Sequence, residues 1–181
     1  MTDVVPPEFS RPIALRQITG QPLVLEANEQ ERTGLARRLA ITSVDRLVAR
    51  VALDRQGERV GVTGTLKADI TQPCAVTREE LSYDVSEPLM LRFVPAGSVA
   101  EYAPDEEIEL DSEDLDVIEY EGDAFDLGEA IAQSLALAID PYREGEGADE
   151  AREKAGIVSD EDKAPSGPLA DALAALKGNN G

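Results

Sequence analysis

The sequence predicts an α+β fold in which an antiparallel, barrel-like β-sheet carries two packed helices, an acidic loop and a largely disordered C-terminal tail. Three observations predict it. Between Val44 and Phe93 apolar residues recur at every second position, the period of a half-buried strand. Two stretches, opening at Asn28 and Asp126, combine N-cap signals with apolar residues three and four apart, the spacing of one helix face. Beyond Pro141 large apolar side chains become rare, so burial cannot offset the entropy of ordering the chain. The expected organisation is one domain over residues 1–142 with an acidic loop at 97–123, a flexible acidic linker at 143–167 and a short helix at 168–177.

The elements follow in order. Phe9 to Ile18 alternates in part, and Pro12, which lacks an N–H, suits an edge strand that Leu23, Val24 and Leu25 would continue. Asn28 caps a helix with Glu31 at the third position reaching back, and Leu35, Ala36, Leu39 and Ala40 form its apolar stripe. Leu47, Ala49, Val51 and Leu53 then point one way while Arg46, Val48 and Arg50 point the other. A turn at Asp54–Gly57 leads to the cleanest strand, where Val60, Val62, Leu66, Ala68 and Ile70 alternate with polar residues, and which should lie centrally. Leu81, Tyr83, Val85, Leu89, Leu91 and Phe93 read as one long strand bent at Pro88. In the acidic loop only two short pairings are expected, one at Ile108 and Leu110 and one at Val117, Ile118 and Tyr120.

The stretch from Asp123 to Pro141 reads as the central helix. Asp126 caps it, Glu129 would close a capping box, and Leu127, Ala130, Ile131, Ser134, Leu135 and Ala138 share a face. Pro141 disfavours helical geometry at Asp140 and ends it. Near the C-terminus Pro168 starts a short helix whose Leu169, Ala172, Leu173 and Leu176 fall together.

Composition excludes several function classes. Among 181 residues there is one cysteine, Cys74, and no histidine, so neither a Ser-His or Cys-His nucleophile nor an ordinary tetrahedral zinc site can be built. No metal and no cofactor is expected. Cys74 reads as a small buried residue at a strand end, with no neighbouring residue type to lower its pKa. No apolar run approaches twenty residues and the N-terminus lacks a basic start followed by an apolar stretch, so no membrane association is expected and the expected location is the cytoplasm.

The net charge of −20 is unevenly spread: residues 101–123 hold 12 acidic residues and no basic one, whereas the first hundred are nearly neutral. Such a chain repels phosphate backbones in the mean, and a basic protein partner fits it more easily.

The stretches ERTGLARRLAI (Glu31 to Ile41), TQPCAVTREEL (Thr71 to Leu81), FDLGEAIAQSLALAIDP (Phe125 to Pro141) and PLADALAALK (Pro168 to Lys177), in this order and spacing, resemble the YceD-like family named for the large ribosomal RNA subunit accumulation protein. The resemblance implies a role in ribosome biogenesis, in keeping large-subunit (23S) ribosomal RNA at normal levels. Many members of that family carry a Cys-x-x-Cys pair and later Cys or His residues that suggest a metal set. Here Thr77 stands at the second position and nothing of the kind follows Pro141, so the metal role does not carry over.

Three functions compete. The first is a non-catalytic factor that binds a basic ribosomal protein or large-subunit precursor, with Glu106, Glu107, Asp111, Glu113 and Asp114 and the stripe of Leu169, Leu173 and Leu176 as contact residues. The second is an RNA-binding module using Arg37, Arg38, Arg46, Arg50, Arg55 and Arg59, which the shortage of aromatic residues for base stacking disfavours. The third, a carboxylate-based hydrolase, has no acid pair that stands out from the general acidity.

Overall fold

In the computed structural model, which describes residues 8–98 and 116–157, the chain divides into two compact units, Met1–Pro73 with Glu80–Pro141, and Cys74–Glu79 with Tyr142–Gly181. The larger unit runs β1 (Pro12–Ala14), β2 (Leu23–Glu26), α1 (Glu29–Arg38), β3 (Ser43–Gln56), β4 (Arg59–Pro73), β5 (Glu80–Pro95), β6 (Asp116–Tyr120), β7 (Ala124–Asp126) and α2 (Leu127–Ala138).

Period-2 patterning built the sheet as expected. β3 and β4 pair from Ser43 opposite Thr71 to Gln56 opposite Arg59, through a two-residue loop whose Gly57 takes φ +69°, as a hairpin turn requires. β5 continues the antiparallel ladder through Pro88, where among the described residues β4 is its sole neighbour because β6 pairs with Leu91–Pro95. A missing donor is tolerated there. The inward rows Leu47, Ala49, Val51 and Leu53, Val60, Val62, Leu66, Ala68 and Ile70, and Leu89, Leu91 and Phe93 are all buried.

The sheet order is β2-β3-β4-β5-β6, and it stays open rather than closing into a barrel. Its edge strands are too short for closure: β2 spans four residues and β6 five. β6, formed by Val117, Ile118 and Tyr120 with their neighbours, lies parallel to β5, a departure from the all-antiparallel expectation. β1 does not continue into β2. It pairs with β7 in a separate two-stranded sheet, Pro12 opposite Asp126.

The inner face is closed by α2, which packs on β5, β4 and β1 through Leu127, Ala130, Ile131 and Leu135. Phe125, just before it, stacks on Phe93 with ring centroids 4.2 Å apart. Asp126 caps α2 by accepting the Glu129 N–H at 3.0 Å, and it also accepts from the Arg11 N–H at 2.8 Å and the Ser10 hydroxyl at 2.5 Å. One carboxylate thus starts the helix and fastens the chain before β1 to it. The expected capping box is replaced, because the Glu129 carboxylate takes Arg38 and Gln133 instead. At α1 the box forms in full, Asn28 Oδ1 accepting the Glu31 N–H and Glu31 Oε2 the Asn28 N–H.

The smaller unit holds α3 (Ala148–Lys154), a helix in the stretch expected to be an unstructured linker. It carries no apolar stripe for sequence reading to find, only Ala148 being buried, and is held by Arg152 pairing with Glu144 and Asp149 and by Lys154 pairing with Glu150.

Candidate functional site

The acidic candidates Glu106, Glu107, Asp111, Glu113 and Asp114, the leucines Leu169, Leu173 and Leu176, and the expected strand at Ile108 and Leu110 lie outside the described residues. The six arginines are described, and they do not form one surface. Arg38, on α1, is committed to structure, donating to Glu129 at 2.8 and 2.6 Å and to Glu8 at 3.2 Å. Arg55 caps backbone carbonyls, Leu15 at 2.9 Å and Gly57 at 2.7 Å. Arg37 and Arg59 are exposed at the end of α1 and the start of β4.

Arg46 and Arg50 are brought together as exposed side chains on the outer face of β3, and Lys67 of β4 joins them. The register sets the arrangement: Lys67 lies opposite Val48, midway between the two arginines, which are four residues and so roughly 13 Å apart along the strand. With Thr65, opposite Arg50, and the buried Val48, these residues line a recess of about 160 Å³. Among the described residues no carboxylate forms an ion pair with Arg46, Arg50 or Lys67, although Asp69 lies opposite Arg46. Arg37 and Arg59 likewise make no ion pair among the described residues, but they stand apart from one another, whereas Arg11 and Arg32 find partners. Arg11 takes Glu31 at 2.6 and 2.9 Å and the Ser10 and Glu26 carbonyls, and Arg32 takes the Ala27 carbonyl. Sequence reading missed Lys67, whose partnership follows from strand register alone.

Among the described residues carboxylate chemistry gains nothing from the geometry. Glu31 and Glu129 have displaced pKa values, and both are held below the usual range, first by hydrogen bonds from Arg11 and Arg38 respectively. That is the direction of a structural ion pair and opposite to that of a general acid.

In the smaller unit, Cys74 is fully buried, and its Sγ accepts the Thr77 N–H at 3.4 Å and the Gly145 N–H at 3.3 Å. The thiol is pulled down to about 6, first by the Thr77 side chain and then by backbone amides of Thr77, Gly145 and Val76, with burial opposing. This corrects the expectation that nothing would lower it: the donors are the side chain of Thr77 and main-chain amides, none of which carries a charge that marks it in the sequence. Among the described residues no group of three or more His, Cys, Asp or Glu is gathered as a metal set, and one thiolate among amide donors does not fit a zinc ion. A folded-state pKa below the ordinary thiol value of about 8.5 means the stabilising contribution is complete above that value and is lost as pH falls through about 6. The stability difference between the wild type and Cys74→Ala should therefore shrink from pH 9 to pH 5, and metal analysis of the purified protein should find no stoichiometric zinc. A difference independent of pH would show that the thiol is not ionised at neutral pH.

A family model described as large ribosomal RNA subunit accumulation protein YceD matches residues 62–177. The match begins in β4, so the Glu31–Ile41 stretch lies outside it. No curated protein and no solved structure matches the chain.

Proposed function

The chain belongs to the family of the large ribosomal RNA subunit accumulation protein YceD, and from that premise we propose that it supports accumulation of 23S ribosomal RNA without catalysing a reaction, by binding a basic ribosomal protein or a large-subunit precursor. The observation that carries the reading is the run of 12 acidic and no basic residues at 101–123, inside the matched region. Uncompensated carboxylates at this density steer a basic partner and speed its encounter. The leucine stripe at Leu169, Leu173 and Leu176 supplies an apolar contact for the same partner.

The test is capture of partners from lysate with and without RNase. Recovery of a basic ribosomal protein after RNase treatment is the expected result, and loss of every partner would reject a protein contact. With that partner purified, replacing Glu106, Glu107, Asp111, Glu113 and Asp114 by Gln or Asn should slow association about tenfold at low salt and flatten its salt dependence. Deleting residues 168–181 should lower Tm by only a few degrees while reducing recovery. Unchanged association at low salt in the first variant would return the segment to a solubilising role.

A further inference from the structure

We infer that the outer face of the five-stranded sheet, centred on Arg46, Arg50 and Lys67, is a docking surface for the phosphate backbone of double-helical RNA. The inference goes beyond the acidic-segment reading and takes from the family only the choice of RNA.

The chain has 37 acidic residues against 17 basic ones, so a basic side chain here has acidic neighbours in abundance. Three that stay without an ion pair among the described residues, and that crowd round one recess despite their mutual repulsion, are arranged for an anion from outside. Thr65 adds a hydroxyl at the recess and Thr63 another farther along β4, opposite Met90. Arg50 lies opposite Val24, which is 64% exposed, and Met90 is 53% exposed, so apolar side chains suited to ribose border the cations on one side, while Glu26, opposite Val48, and Asp69, opposite Arg46, border them on the other without an ion pair to them.

The form of the RNA follows from what the face lacks. Reading single strands requires aromatic platforms for unstacked bases. Phe9, Phe93, Phe125 and Tyr120 are buried, and no aromatic residue stands on the outer rows of β2, β3, β4 or β5. What remains is contact with phosphate and the 2′-hydroxyl, the means by which duplex RNA is held with little regard to sequence. Cations spread over roughly 13 Å, with the middle one on the next strand, reach more than one phosphate of a helix laid across the sheet.

The experiment is fluorescence anisotropy of the full chain with a labelled RNA duplex, an RNA single strand of equal length and a DNA duplex, over a salt series. The wild type should bind the RNA duplex best. Arg46→Gln with Arg50→Gln and Lys67→Gln should weaken binding at least tenfold at low salt and lower the salt slope by about two to three. Arg16→Gln with Arg37→Gln and Arg59→Gln removes the same charge elsewhere, and should change affinity less than threefold. Because all six side chains are exposed, both variants should keep the wild-type melting temperature. Equal weakening by both variants would overturn the surface in favour of a mean-field effect. Tighter binding of the single strand, or of inorganic phosphate added as competitor, would overturn the duplex. Loss of an RNase-resistant acidic protein from the material captured by the first variant would overturn the RNA assignment and make the face a contact for that protein. A triple variant that loses RNA but keeps its basic protein partner separates this proposal from the acidic-segment reading, and the reverse outcome rejects this proposal alone.

Discussion

Phe93→Ala should destabilise the protein by roughly 3–5 kcal/mol, the largest loss expected from any single truncation in the core. Phe93 is 1% exposed, sits in β5 beside β6, and stacks on Phe125 at 4.2 Å, so it joins the five-stranded sheet to the segment that launches α2. The cavity would open where strand, strand and helix meet, and none of the three closes it without giving up a ladder or the Asp126 cap. Thermal unfolding should fall by roughly 10 °C for a domain of this size. Phe125→Ala should cost less, and the double variant should recover about 0.5–1.5 kcal/mol of the summed losses as the ring–ring coupling. A loss below about 1 kcal/mol for Phe93→Ala would mean that the ring does not fill the space assigned to it.

Gly64→Ala should cost about 3 kcal/mol although it adds a single methyl group. A Cβ there would meet the Arg50 carbonyl oxygen at 2.1 Å and the Val51 Cα at 2.7 Å, both backbone atoms of the paired strand. Rotamers offer no relief, so β3 and β4 must separate. Gly61 stands three residues earlier in the same strand, where the nearest atom to a new Cβ is the Asp54 carbonyl oxygen at 3.8 Å. Gly61→Ala should stay within about 0.5 kcal/mol of the wild type. Chemical denaturation of the two variants side by side checks the contrast. Equal stabilities would show that strand propensity, and not the close approach, governs both positions.

Elements with a period were legible in the sequence. β3, β4 and β5 alternate over enough residues for the buried row to declare itself, and Asn28 and Asp126 announce helix starts through short-range chemistry. β1 is announced by the partial alternation around Pro12, but its partner β7, three residues long, has no period to read, and their pairing is decided by where Asp126 holds the Arg11 and Ser10 donors. Glu129 was assigned to its own helix because a capping box is local, whereas Arg38, 91 residues away, offers a bidentate charged partner that wins. The arginines were visible as candidates, but which are committed to carbonyls and carboxylates is a tertiary fact. Only the register separates Arg46 and Arg50 from Arg38 and Arg55. The depressed Cys74 thiol was hidden for a different reason: the Thr77 side chain and the main-chain amides that lower it are uncharged, and only the fold brings Gly145 to the sulfur.

The pairing of β1 with β7 imposes an order of events during synthesis. Pro12 meets Asp126, and Phe9, wholly buried, has its carbonyl under the start of α2, where a Cβ on Gly128 would lie 2.4 Å from it. While the first hundred residues emerge, the antiparallel β3–β4–β5 ladder is free to assemble, but Phe9 lacks the start of α2 and the Arg11 main chain lacks Asp126. They must wait for a segment more than a hundred residues later, and closing so long a loop is among the slow steps of folding. Until then an aromatic side chain and an unpaired edge stay exposed on the nascent chain, the features that recruit chaperones and promote aggregation. A chain stalled before Ala124 is therefore left with β1 unpaired, whatever the condition of its middle.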